Sequence, residues 1–203
     1  HAFGVNVGSD SVLNFGDAST LSFHATKVFH TVEGGAIVFK NKVAFDKAKD
    51  LINFGIGKDG TLGDPGINAK LNEYQAAVGL CILDDIDDIL DHRSSLFDLY
   101  RKELRDVVDM PHWHDNANYN GAYMPICPET ETVRLKIGDK LTENNIQFRR
   151  YFYPSLDQAY PKVKSFGCPI SNVVADNVLC LPLHTYMTAA DIYKITSIIK
   201  EVF

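Results

Sequence analysis

A lysine stands at the centre of a stretch poor in other fixed charges: Ser19 to Phe39 reads STLSFHATKVFHTVEGGAIVF, with Lys27 in the middle. A neutral primary amine condenses with an aldehyde, and a lysine withdrawn from water gives up its charge more readily than one in bulk solvent. Ser22 offers a hydroxyl five residues earlier, and His24 and His30 flank the amine. Each histidine is a candidate either to line a site or to hold the loop. Glu33-Gly34-Gly35 follows, and a pair of glycines lets backbone approach a neighbour or a ligand closely. Elsewhere the candidates are thinner. His112-Trp113-His114 places two histidines one residue apart, which is an incomplete ligand set. It reads as a surface loop, and no metal site is expected. Arg149 and Arg150 are adjacent, and a guanidinium suits phosphate geometry; strand alternation does not say which of the two faces inward.

The elements that position Lys27 are short. Thr20 to Phe23 predicts a short buried strand and the apolar run Ala36 to Phe39 a second strand, with the lysine and the double glycine between them in a pocket-like arrangement. The chain opens with a predicted strand over Ala2 to Val7. A helix is expected over Asn41 to Phe54, capped by Asn41, and then a loop rich in glycine, aspartate and proline from Lys58 to Gly66. Apolar residues from Tyr74 to Leu104 recur at three- and four-residue steps and predict one long helix from Asn72. Beyond it come a strand over Gly121 to Cys127, a helix over Glu131 to Asn144, and a strand over Ile146 to Tyr153. Thr188-Ala189-Ala190-Asp191 is a capping box for a last helix to Phe203.

Two segments resemble the signatures of one family. Ser22-Phe23-His24-Ala25-Thr26-Lys27 with Glu33-Gly34-Gly35 is similar to the S-F-x-x-x-K and E-G-G elements of the DegT/DnrJ/EryC1/StrS sugar aminotransferases. Gly66-Ile67-Asn68-Ala69-Lys70-Leu71-Asn72-Glu73-Tyr74-Gln75-Ala76-Ala77, ending at Gly79-Leu80, resembles the family's second motif. The resemblance implies a fold-type I, α/β enzyme dependent on pyridoxal 5'-phosphate (PLP). It implies that Lys27 forms the Schiff base with PLP and later carries a proton, that Ser22 contacts the cofactor phosphate, and that Asn68 reaches the PLP phosphate of a neighbouring subunit. Lys70 stands where many relatives carry arginine, and its role is left open. His1 would close a D-x-x-Q or D-x-x-H motif and touch the cofactor, with the motif's aspartate upstream of this chain. The match covers only the second half of such proteins, so a fragment is expected. Residues 1–90 would be the end of the large PLP-binding domain and 91–203 the small α+β C-terminal domain, the boundary falling within the long helix.

The implied reaction is transamination of a nucleotide-linked keto-deoxysugar, with an amino acid, glutamate in most of the family, as donor. Within the family the resemblance leans toward members that aminate dTDP-4-keto-6-deoxyglucose at C4. Amination of the 3-keto isomer and a non-catalytic dimerisation or regulatory module are the alternatives. A homodimer is implied if Asn68 crosses to a neighbour.

Bulk properties agree. The 203 residues are 45% hydrophobic and 23% charged, an ordinary globular balance. A net charge of −6 disfavours nucleic acid as a partner. The acidic run Asp84-Asp85-Ile86-Asp87-Asp88 reads as a solvated helix face. The four cysteines, at 81, 127, 168 and 180, form no C-x-x-C pair and read as free thiols. With no apolar stretch of membrane-spanning length and no signal peptide, a cytoplasmic protein is expected.

Overall fold

The computed structural model describes residues 1–203. Its elements run β1 (Asn6–Val7), β2 (Asp10–Ser11), a 3-10 turn (Val12–Asn14), β3 (Ala18–Ser22), β4 (Gly35–Phe39), α1 (Lys42–Leu51), α2 (Glu73–Asp84), α3 (Ile86–Leu104), β5 (Met124–Ile126), α4 (Glu131–Glu143), α5 (Leu156–Ala159), α6 (Pro169–Asn177), β6 (Leu179–Leu181) and α7 (Ala189–Lys200). The strands form three antiparallel pairs, β1–β2, β3–β4 and β5–β6. The chain divides into two compact units, residues 1–90 with 115–120, and residues 91–114 with 121–203.

In the first unit, β3 and β4 pair from Ala18 opposite Phe39 to Ser22 opposite Gly35. This register closes a hairpin around Phe23 to Gly34 and sets Ser22 at its mouth. Asn41 caps α1 by accepting from the Val43 and Ala44 amides. Asn72 caps α2 by accepting from the Gln75 amide. The expected strand over Ala2 to Val7 shrinks to Asn6–Val7 because a turn intervenes: the Val5 amide donates to the Ala2 carbonyl at 3.1 Å, and Gly4 adopts φ +72°, a conformation a side chain would resist. The single long helix expected from Asn72 is two helices. It breaks at Asp85, whose φ of −111° and ψ of 10° leave the helical region. Aspartate competes with the helix through its own side chain, and the restart puts Asp87 and Asp88 in the first turn of α3, where the helix dipole favours negative charge.

The second unit holds the larger core. Leu96, Phe97, Tyr100 and Leu104 of α3 are buried, as are Met124 and Ile126 of β5, Ile137 and Leu141 of α4, Leu179 and Leu181 of β6, and Ile192, Ile195 and Ile199 of α7. The Tyr100 hydroxyl donates to the Pro182 carbonyl at 2.9 Å, and burial pushes its phenol above the usual range. Thr188 and Asp191 complete the capping box at the start of α7. The expected strand over Ile146 to Tyr153 is absent. Only Arg149 bridges Cys180, with amide and carbonyl exchanged at 3.0 and 2.7 Å. The next residue breaks the alternation, since the Arg150 guanidinium turns back to donate to the Ala175 and Asp176 carbonyls at the end of α6.

Candidate active site

The loop between β3 and β4 is held by its own backbone. The Phe23 amide donates to the Gly34 carbonyl at 2.9 Å, and the Thr31 amide to the Phe23 carbonyl at 2.9 Å. Thr31 is 2% exposed, and its hydroxyl donates to the Glu33 carbonyl at 2.8 Å. These bonds hold Val32 at φ +66°, a left-handed conformation that a β-branched residue adopts only when its surroundings dictate it. The two glycines have internal reasons. A Cβ on Gly34 would lie 2.3 Å from the Thr31 hydroxyl, and one on Gly35 would lie 2.8 Å from the Leu21 carbonyl oxygen. The double glycine thus lets the loop fold onto itself. Gly34→Ala is expected to lower stability by about 1–3 kcal/mol through overpacking, seen as a fall in the denaturation midpoint; an unchanged midpoint would show that Thr31 moves aside without cost.

His24 ties the two ends of the loop together. Its Nδ1 accepts from the Thr26 amide at 3.2 Å and lies 2.9 Å from the Thr26 hydroxyl. That leaves the ring proton on Nε2, which lies 3.4 Å from a Glu33 carboxylate oxygen. His30 Nδ1 accepts from the Val32 amide at 3.4 Å. Both histidines therefore serve the loop's conformation.

Lys27 follows a tight turn in which its amide donates to the His24 carbonyl at 2.9 Å. The next two residues, Val28 and Phe29, are buried. Phe29 stacks on Phe3 with centroids 4.6 Å apart and meets Phe23 edge-on at 4.8 Å. The loop is thus pinned immediately after Lys27 and the amine is left partly open. Its Nζ lies 2.7 Å from Nε2 of His1. An ammonium can only donate, so beside a charged Lys27 this imidazole nitrogen is the acceptor.

Ser22 is exposed at the end of β3. Its Oγ accepts from the His24 amide at 3.4 Å, and its own proton is not spent on another group of the chain. Asn68 lies on a segment that caps the end of α1: the Ile67 amide donates to the Leu51 carbonyl at 2.8 Å and the Ala69 amide to the Ile52 carbonyl at 3.0 Å. Glycine at 66 permits this contact, since a Cβ there would meet the Leu51 carbonyl oxygen at 2.4 Å. The Asn68 side chain is exposed and has no hydrogen bond within the chain. Lys70 supports this turn. Its ammonium donates to the Asn53 side chain at 3.0 Å and sits 4.5 Å from the Phe54 ring centroid.

Of the four predicted site residues, the structure brings His1 and Lys27 into contact, sets Ser22 at the mouth of the same hairpin, and leaves Asn68 outward on its own turn. A primary amine, an imidazole acceptor, a hydroxyl and an outward amide suit an aldehyde-bearing phosphate ligand: one covalent anchor and two donors with nothing else to bind. Arg149 is exposed, while Arg150 is spent on α6 and stacks at 3.9 Å on Tyr153. Trp113 of the His-Trp-His segment packs edge-on against Phe97 at 4.9 Å. Sequence reasoning missed Asn118 and Asn120, whose amides hold the His1 to Asn6 segment; the alternation of Asn116, Asn118 and Asn120 is the signal that marks one polar face of an extended segment.

Residues 1–200 match the DegT/DnrJ/EryC1/StrS aminotransferase family, and the chain belongs to it. Among curated relatives it is similar to a dTDP-4-amino-4,6-dideoxy-D-glucose transaminase of Shigella dysenteriae, 39% identical over 212 residues, a match covering 100% of this chain and 57% of that protein. A protein of the same name from Escherichia coli is 34% identical over 213 residues, covering 98% and 56%. The fold is that of DesI, crystallised in the presence of its TDP-sugar product: TM-score 0.88, 28% identity, 99% of this chain and 53% of that one. The chain therefore spans somewhat more than half the length of the relatives it matches. No helix is long and apolar enough to cross a membrane.

Proposed function

We propose that this chain is the lysine-bearing part of a PLP-dependent aminotransferase that aminates a nucleotide-linked keto-deoxysugar, dTDP-4-keto-6-deoxyglucose at C4, with glutamate as donor. The observation that carries the reading is the Lys27 loop: a partly open primary amine, 2.7 Å from an imidazole nitrogen, on a hairpin pinned from both sides. PLP, when bound, supplies the electron sink that lets an amino group pass between an amino acid and a keto sugar.

The chain's own residues have the following roles. Lys27 would hold the cofactor covalently through Nζ and would move a proton at that atom. His1 Nε2 orients that amine. Ser22 donates to the cofactor phosphate. Asn68 donates to the phosphate held by a neighbouring subunit, which makes the working unit a homodimer with two equivalent sites. Residues 1–90 with 115–120 complete the large PLP-binding domain, and residues 91–114 with 121–203 form the small C-terminal domain. The protein works in the cytoplasm.

The test is direct. Incubated with PLP, glutamate and dTDP-4-keto-6-deoxyglucose, the protein is expected to yield an amino sugar nucleotide and an equal amount of 2-oxoglutarate, both read by mass spectrometry. Product from the 3-keto isomer alone would move the amination to C3, and product from neither sugar would contradict the reading.

A further inference from the structure

We propose that Asn120, aided by Asn118, is a positioning residue that sets His1 against Lys27. The inference rests on the reading of Lys27 as the PLP lysine and adds to it a residue nearly a hundred positions downstream.

Residues 115–120 belong to the same compact unit as the Lys27 loop, and they run along the first residues of the chain as a polar strap. The Gly8 amide donates to the Asn116 carbonyl at 2.8 Å, and the Asn118 amide to the Asn6 carbonyl at 3.2 Å. Val7 and Ala117 form an antiparallel bridge. Between these backbone contacts two side-chain amides act as extra rungs. Asn118 accepts from the Asn6 amide at 2.5 Å and donates to the Gly4 carbonyl at 2.9 Å. Asn120 donates through Nδ2 to two carbonyls at once, His1 at 2.8 Å and Phe3 at 2.9 Å.

Asn120 is 7% exposed, so its amide is largely withdrawn from water, and losing it leaves two partly buried carbonyl oxygens without their donor. Their consequences converge on one atom. The His1 carbonyl fixes the residue whose Nε2 meets Lys27 Nζ. The Phe3 carbonyl fixes the residue whose ring stacks on Phe29, two positions after Lys27. Asn120 therefore holds both sides of the His1–Lys27 contact: the imidazole through one carbonyl and the lysine loop through the other. Asparagine suits the task because a single NH₂ group carries two protons and reaches two acceptors.

The experiment compares the unaltered protein with Asn120→Leu, which keeps the side chain's volume, and Asn120→Ala. Each is followed by hydrogen–deuterium exchange over residues 2–6, by the rate at which PLP and borohydride label Lys27, and by kcat and KM for glutamate. The expected result is faster exchange over residues 2–6 in both variants, with Lys27 labelling and kcat each reduced roughly tenfold to 100-fold, the scale for misplacing a reacting group by about 1 Å, and KM little changed. A residue that only filled space would be rescued by leucine. Labelling and kcat at the unaltered rate in Asn120→Leu would overturn the inference while leaving the PLP reading intact. So would unchanged exchange over residues 2–6 in both variants. No label on Lys27 of the unaltered protein would overturn the PLP reading, and the inference with it.

Discussion

Lys27→Ala is expected to abolish the proposed transamination, with a loss on the order of 10³-fold or more, while the protein keeps its fold and the proposed dimer. The magnitude follows from losing a covalent anchor and a positioned acid/base group together, the latter alone contributing on the order of 10²- to 10⁴-fold. The fold is expected to survive because the loop is held elsewhere: by the Phe23 and Thr31 amides, by His24 against Thr26, and by the stack of Phe3 on Phe29. The Lys27 side chain meets His1 at the partly open side of that loop. The check is glutamate-to-sugar turnover beside thermal denaturation and size-exclusion chromatography. Retained turnover would remove Lys27 from the chemistry, and an unfolded variant would show that the amine is part of the scaffold.

Asn68→Ala is expected to weaken PLP retention by roughly 10- to 100-fold, the range for one hydrogen bond to a charged phosphate at about 1.5–3 kcal/mol. Stability is expected to change by no more than about 0.5 kcal/mol. The two effects separate because the segment is held by the Ile67 and Ala69 amides on the end of α1 and by Lys70 on Asn53 and Phe54, none of which uses the Asn68 side chain. Equilibrium dialysis with PLP, paired with urea denaturation, reads both quantities. Unchanged affinity would take Asn68 out of the site, and a large fall in stability would give it a structural role.

Local chemistry makes much of this architecture legible in the sequence. Asn41 and the Thr188–Asp191 pair are capping residues by type and spacing, and they cap. The runs on either side of Lys27 pair as β3 and β4, but the strand expected to be buried is not, since neither strand holds a buried residue. What stayed hidden depended on distant partners. The glycines of Glu33-Gly34-Gly35 suggest an approach to a ligand, yet the atoms a side chain would strike belong to Thr31 and Leu21. The run IQFRRYFY has strand composition, but Arg150 is drawn to the free carbonyls at the end of α6, which no local pattern foretells. Tyr74 to Leu104 keeps a helical period through Asp85 even though the backbone breaks there, because periodicity reports which residues share a face and not the continuity of the helix; Phe97, Tyr100 and Leu104 in the α3 part of that face are buried, while Tyr74 at the start of α2 is 87% exposed. Asn120 reaches His1 across 119 positions, a pairing set wholly by tertiary structure.

The central claim is that Lys27 is the amine that takes PLP. The protein is mixed with PLP, reduced with borohydride, digested and searched by mass spectrometry for the pyridoxyl mass. The pyridoxyl label is expected on the peptide carrying Lys27 and is expected to be lost when excess glutamate is added before reduction, since the donor would then carry the cofactor off the lysine. Label absent from Lys27, or spread evenly over exposed lysines such as Lys42 and Lys58, would contradict the claim.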